Sequence, residues 1–147
     1  MKNHGTQYET ELYKMISGEG IACEHGSPSK AGDLVVFPNT IIEMKSVNNS
    51  NVFYYTDGTA EQQRKVLVEK IGTYPWVSVF YVVCFVNRSK VNNRVRLSHE
   101  WKWYDMPDPQ KPLKKVDGKE MSGLIAILKA RQEAFVAYNK MTETMGL

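Results

Sequence analysis

GDLVVFPNTIIEMKS, Gly32 to Ser46, carries two short apolar runs, Leu34 to Phe37 and Thr40 to Ile42, on either side of a Pro38-Asn39 turn. Charged residues stand where a strand would ordinarily be apolar. Asp33 opens the first strand, and Glu43-Met44-Lys45 closes the second. Side chains alternate between faces along a strand, so Glu43 and Lys45 share one face and Met44 takes the other. A carboxylate and an ammonium on one face, with a second carboxylate beside them, make a site for a hydrated divalent cation and a water to be activated. Register decides whether Asp33 joins them. A two-residue loop at Pro38-Asn39 sets Phe37 opposite Thr40 and Leu34 opposite Glu43, and turns Asp33 to the wrong side. An odd-numbered loop sets Phe37 opposite Ile41, Val35 opposite Glu43 and Asp33 opposite Lys45. A slip of one residue moves every side chain to the other face, and proline at the turn suits the longer loop. The stretch therefore predicts an odd loop or a bulge.

The chain of 147 residues has the size of one domain with a sizeable core. Residues 1–147 are expected to form that domain, with a core over about 5–105 and a C-terminal helical extension over about 119–145. Hydrophobic content of 42% and 24% charged residues are ordinary for a globular protein. A formal charge of +3 permits nucleic-acid binding without demanding it. Cys23 and Cys84 sit far apart in unlike contexts and read as reduced intracellular thiols rather than a disulfide framework. No apolar run approaches the ~20 residues of a membrane span, and Met1-Lys2-Asn3-His4 lacks the apolar centre of a signal peptide.

Taken in order, Thr6 to Ser17 reads as a helix with Tyr8, Leu12, Met15 and Ile16 on one face, stopped by Gly18 and Gly20. Thr6 and Glu9 fit a capping box, which by itself accounts for Glu9; Glu11 is expected to be solvated or paired with a base. Ile21 to Glu24 is a short strand, followed by a polar loop from His25 to Ala31. Cys23 and His25 have no second pair at zinc-ligand spacing. Asn48 to Thr56 is polar, with Phe53, Tyr54 and Tyr55, and reads as a mobile or partner-facing segment. Thr59 to Gly72 reads as a helix made basic by Arg64, Lys65 and Lys70. Val77 to Val86 (VSVFYVVCFV) is nearly continuous apolar sequence, a strand buried on both faces, and with the preceding helix it makes a βαβ crossover. Asn87 to Asn93 reads as a turn with Arg88 and Lys90, and Val91 to Leu97 as an edge strand. Arg88, Lys90, Arg94 and Arg96 either keep the edge from pairing with other sheets or contact phosphate. Trp101 and Trp103, among charged residues, either pack on the core or stack on unpaired bases. Pro107, Pro109 and Pro112 with Lys111, Lys114 and Lys115 form an extended basic connector. Lys119 to Thr144 reads as a helix with Leu124, Ile125, Leu128, Phe135 and Tyr138 on one stripe, packing across the sheet or against a second subunit.

Asp33, a hairpin, then Glu43-x-Lys45 resembles the PD-(D/E)xK nuclease signature, with Gly32 where proline often stands. Gly5-Thr6-Gln7-Tyr8-Glu9-Thr10-Glu11-Leu12 resembles the opening helix of the archaeal Holliday-junction resolvases, which carry Gly, then Glu-x-Glu-Leu, a Gly-containing helix end, a Ser-rich loop and the Asp. The order and approximate spacing match from about Gly5 to about Phe85, and the last third matches poorly. The resemblance implies an α/β, restriction-endonuclease-like core: a central mixed sheet flanked by helices, here with an added C-terminal helix. It implies Mg²⁺, with Mn²⁺ able to substitute, held by Asp33, Glu43 and the Met44 carbonyl, and Glu9 helping directly or through water. Lys45 would orient the attacking water or stabilise negative charge; alternatively it is only the salt-bridge partner of Glu43 or Asp33. Ser27 or Ser29 would contact the scissile region and Lys30 a phosphate, unless this loop is an ordinary polar turn. Gln62 or Gln63 would pack near the site, and Arg64, Arg88 and Lys90 would touch DNA. The activity implied is Mg²⁺-dependent, structure-selective hydrolysis of phosphodiester bonds in branched DNA. It would serve recombination and repair in the cytoplasm of a prokaryotic cell or a virus-infected host. A homodimer would suit two opposed cuts in a four-way junction. The alternatives are a restriction-type or repair endonuclease of the same fold, or a DNA-binding module that does not cleave. The asparagines Asn48, Asn49, Asn51, Asn92 and Asn93 weigh against a hyperthermophilic host.

Overall fold

The computed structural model describes residues 4–26, 33–54, 58–107 and 111–146. In chain order these form α1 (His4–Ser17), β1 (Cys23–His25), β2 (Leu34–Val36), β3 (Thr40–Asn48), β4 (Val52–Phe53), α2 (Gly58–Thr73), β5 (Ser78–Val91), β6 (Arg94–Asp105), β7 (Leu113–Lys114), a 3-10 turn (Lys115–Asp117), β8 (Lys119–Glu120) and α3 (Met121–Thr144).

The run VSVFYVVCFV forms the middle of β5, and Val79 to Val86 are all buried, as a strand covered on both faces must be. Six strands lie in the order β1-β2-β3-β5-β6-β8, while β4 and β7 form a separate two-stranded ladder. β3 and β5 run parallel, with Thr40 opposite Ser78 through Asn48 opposite Val86. Every other neighbouring pair in the large sheet is antiparallel. The α2 helix lies between the two parallel strands in sequence, as the βαβ reading requires.

Alternation along the strands sorts the core into two layers. Leu34, Ile42, Met44, Phe80, Val82, Cys84 and Trp103 pack with Tyr8, Leu12 and Ile16 of α1 and with Met121, Leu124 and Leu128 of α3. On the opposite face Ile41, Val79, Tyr81, Val83, Phe85 and Tyr104 pack with Leu67 of α2 and Leu113 of β7. The C-terminal helix is thus part of the main core. Leu124→Ala, which deletes a fully buried side chain, is expected to cost about 3 kcal/mol, measured by urea unfolding.

The same helix also fastens the β2–β3 hairpin. Gln132 Nε2 donates to the carbonyls of Ala22 and Phe37, each at 2.8 Å. Arg131 Nη1 donates to Thr40 Oγ1 at 3.1 Å. Burial, then the Glu11 carboxylate, push the Cys84 thiol up to about 12, so it stays a protonated core side chain. Both cysteines are free thiols.

Several sequence expectations are corrected here. The first helix begins at His4, so Thr6 stands inside it and not at its N-cap position. The segment expected to be mobile after β3 contains β4, whose Val52 and Phe53 pair with Lys114 and Leu113. The supposed turn from Asn87 belongs to a strand that continues to Val91, and β6 is one strand from Arg94 to Asp105. Lys119 and Glu120 pair with Trp103 and Lys102 as β8, and α3 starts only at Met121. Trp103 is buried and donates its indole N–H to the Glu120 carbonyl at 2.9 Å, so it packs on the core. Tyr138 of the expected apolar stripe is exposed, because α3 has run past the sheet there. Tyr55 and Pro109 lie outside the described residues.

Candidate active site

The hairpin register places the first carboxylate. Val36 pairs with Thr40, Val35 with Ile41 and Leu34 with Ile42, which leaves a three-residue loop, Phe37 to Asn39. The loop is odd, as expected, and as long as the one drawn from the sequence, but it starts one residue earlier, at Phe37 instead of Pro38. Val35 faces Ile41 rather than Glu43, and Phe37 sits in the turn rather than opposite Ile41; the ladder ends at Leu34 opposite Ile42, and the Asp33 side chain just beyond it hydrogen-bonds to Glu43. The shifted loop moves Thr40 into the strand and buries it, where Arg131 donates to its hydroxyl. A shift of two residues preserves the faces, so Asp33 still lands on the side of Glu43.

Asp33 is held from three sides. Its N–H donates to the Ile42 carbonyl and its carbonyl accepts the Gly26 N–H, both at 2.9 Å. Its Oδ2 accepts the Met44 N–H at 2.6 Å, at the point where β3 has run past the end of β2. Met44 therefore brings its backbone to the carboxylates while its side chain is buried on the other face. Glu43 is 2% exposed. Lys45 Nζ lies 3.1 Å from Glu43 Oε1 and donates to Gln63 Oε1 of α2 at 2.5 Å. Glu9 comes from α1 and hydrogen-bonds to Asp33. The β2–β3 hairpin and α1 thus bring Glu9, Asp33, Glu43 and Lys45 together, with Gln63 of α2 beside Lys45.

Three carboxyl groups so close cannot all be charged at little cost. Burial first, then the hydrogen bond and charge of Asp33, push Glu9 up to about 7. Burial first, then the charge of Asp33, push Glu43 up to about 7 against the pull of Lys45. Each raised glutamate can therefore hold a proton in its hydrogen bond with Asp33. Opposite Glu43 in the parallel ladder stands Tyr81, whose phenol burial and then the Glu43 charge hold well above its ordinary value. It remains a neutral hydroxyl beside the acids.

Among the described residues no group of three or more His, Cys, Asp or Glu side chains forms a ready-made metal cage. The donor set nevertheless suits a hard cation. Mg²⁺ uses one or two carboxylates and keeps most of its waters, and a divalent charge would replace the protons that Glu9 and Glu43 retain. Asp33 and Glu43 are the side chains that would hold it, with Glu9 and the Met44 carbonyl as further oxygen donors.

Other sequence-predicted residues fall elsewhere. Gln63, not Gln62, reaches the site; Gln62 is exposed. The Arg64 Nε–H donates to the Pro107 carbonyl at 2.8 Å. Arg88 and Lys90 are exposed on the far part of β5. Ser27, Ser29 and Lys30 lie outside the described residues. Glu11 is paired, through Oε1, with His99 Nδ1 at 3.1 Å. Tyr81 was not singled out from the sequence. Its one signal is the parallel register, which needs both strands before it can be read.

A mixed sheet with β3 and β5 parallel at its centre, helices on both faces and acids at the margin of β3 defines a restriction-endonuclease-like α/β fold. The structure of Hjc, a Holliday junction resolvase from the archaeal hyperthermophile Archaeoglobus fulgidus, is similar to this chain. The match covers 84% of this chain and 97% of that one, with a TM-score of 0.56 and 13% sequence identity. At that identity the likeness is one of fold. No protein-family profile matches the sequence, and no curated protein matches it. Among the described residues no helix is long and apolar enough to cross a membrane.

Proposed function

We propose that the chain is a Mg²⁺-dependent endonuclease that hydrolyses phosphodiester bonds in branched DNA, four-way junctions above all, as a homodimer. The observation that carries this reading is the meeting of Glu9, Asp33 and Glu43 with Lys45 at one strand margin. The fold similarity to a Holliday junction resolvase supports the choice of substrate. When bound, the cation supplies positive charge against the phosphate and makes a coordinated water more acidic. Asp33 and Glu43 orient that charge from the strands, and Glu9 closes the site from α1. Lys45, aimed by Gln63 and Glu43, places a cationic donor where negative charge grows on the phosphate. Arg88 and Lys90 hold DNA beyond the site, and Ser27, Ser29 and Lys30, just before Asp33 in sequence, flank the scissile strand. The far half of α3 exposes Val136, Tyr138 and Met141, an apolar surface suited to a second copy and hence to two opposed cuts. Such an enzyme would act in the cytoplasm of a prokaryotic or virus-infected cell.

The test is incubation with a four-way junction, linear duplex and single-stranded DNA, in Mg²⁺, in Mn²⁺ and in EDTA. Paired nicks placed symmetrically about the crossover in Mg²⁺, and none in EDTA, are the expected result. Cleavage of plain duplex at one sequence would make it a restriction-type enzyme. Binding without cutting under every condition would leave a DNA-binding module and overturn the proposal.

A further inference from the structure

The ladder between β3 and β5 ends at Asn48 opposite Val86, but β5 and β6 go on pairing with each other. Five further rungs follow, from Asn87 opposite Ser98 to Val91 opposite Arg94. Asn92 and Asn93 close them with φ of 53° and 61°, the two left-handed residues that a twist-matched hairpin turn requires. Neither edge of this stretch pairs with another strand among the described residues, and every residue from Arg88 to Ser98 is exposed. The result is a two-stranded ribbon projecting ~17 Å from the sheet, at ~3.4 Å per residue.

Its composition is one-sided in charge and two-sided in placement. Residues 87–98 hold Arg88, Lys90, Arg94 and Arg96 and no acid. The register puts Arg88 and Lys90 on one face with Leu97 and Val95. It puts Arg94 and Arg96 on the other face with Val91 and Ser89. Among the described residues none of the four cations is in an ion pair. A flat partner would call for cations on one face. Cations on both faces of a thin ribbon fit a partner that flanks it on two sides with negative charge. The major groove of duplex DNA is such a partner: it is about 12 Å wide, admits a two-stranded ribbon, and has a phosphate backbone along each wall. Edge protection alone does not explain the arm, because a tight turn after Val86 would have removed the same edges. A second copy of the chain is disfavoured as occupant, because two arms would bring like charges together.

We infer that the β5–β6 arm is a groove-inserting ribbon that seats in the major groove of a duplex arm of the substrate, over about five base pairs at ~3.4 Å each. Arg88 and Lys90 on one face, and Arg94 and Arg96 on the other, contact phosphates on the two walls. The inference rests on the proposed DNA substrate but not on cleavage, so it is tested in EDTA, where the two readings fail separately.

Binding to a four-way junction and to linear duplex is measured across a salt series. Wild type is compared with Lys90→Gln/Arg94→Gln/Arg96→Gln and with a second variant in which Ser89 to Arg96 is replaced by a short Asn-Gly turn. The slope of log affinity against log salt should fall in magnitude by about 0.9 per phosphate contact removed, near 2.7 for the triple variant. Wild type should shield guanine N7, a major-groove atom, from methylation over a short patch that both variants leave open. Thermal melts identify a variant that fails to fold, and the other then carries the test. An unchanged salt slope, or N7 shielding that survives both variants, would overturn the inference. So would dissociation of a dimer with DNA contacts per subunit unaltered, since the arm would then grip a second copy. If wild type never cuts DNA yet shows these changes, the arm stands and the nuclease reading falls.

Discussion

Lys45→Ala is expected to slow phosphodiester cleavage on the order of a thousandfold, with junction binding unchanged. Lys45 Nζ is placed by two acceptors, Glu43 Oε1 on its own strand and Gln63 Oε1 on α2. A lysine needed only for ion pairing with Glu43 would not require the second. The two roles separate on stability. If Lys45 serves only to neutralise a buried Glu43, its loss leaves an unpaired buried charge and costs several kcal/mol. Glu43, however, already holds its proton up to about 7, so the variant can neutralise itself and should lose only about 1 kcal/mol. Gln63→Ala should be milder, about tenfold in rate, because it removes an orienting contact and leaves the ammonium. Single-turnover nicking and equilibrium binding on one junction, with urea unfolding of each variant, give the answer. A Lys45→Ala protein that cuts at the wild-type rate would reduce Lys45 to an ion-pair partner.

The parts of this site that could be read from the sequence are those encoded within one element. Strand alternation alone puts Glu43 and Lys45 together, and parity alone puts Asp33 with them for any odd loop. What parity cannot decide is where that loop starts. Two odd registers satisfy the same faces, and the choice between them rested on Thr40, whose buried hydroxyl is satisfied by Arg131 from the far end of the chain. Tyr81 is hidden for a related reason. Inside a run that is apolar on both faces there is no alternation to mark which side chain meets an acid, and only the β3–β5 register does so. Gln62 and Gln63 are adjacent on a helix whose periodicity is weak, so α2 had to be packed before one of them could be chosen. Asparagine is a turn signal, so the sequence divides the arm at Asn87, yet the residues that turn are Asn92 and Asn93. Nothing local separates these asparagines. Non-local pairing with Ser98 keeps Asn87 in the strand.

Without divalent cations the melting temperature should fall as pH rises from 5 to 8, against the usual acid weakening of a fold held by ionised carboxylates. Glu43 is raised from 4.5 to about 7 by burial and by Asp33, and Glu9 moves the same way. A carboxyl raised in the folded state binds its proton more tightly there than in the unfolded chain. Its stabilising contribution is therefore complete below the ordinary carboxylate range and is lost as pH climbs through about 7. For Glu43, nearly fully buried, the loss is about 2 kcal/mol, or roughly 5 °C in melting temperature. Glu9 is half-exposed and adds less. Glu43→Gln removes the titrating group while keeping its shape, so its stability should be flatter with pH, and the difference from wild type isolates this one acid from every other. The cation then reverses the sign. Because it must displace protons, its affinity rises with pH, and because only the folded state assembles Glu9, Asp33 and Glu43, binding stabilises by about 2.7 kcal/mol at a hundred times Kd. Mg²⁺ should do little to the melting temperature at pH 5 and restore most of the loss at pH 8. Carboxylates serving only as structural ion pairs would show neither the fall nor the rescue. A metal-free melting temperature that climbs steadily from pH 5 to 8 would mean that the acids do not share protons, and the site would have to be drawn again.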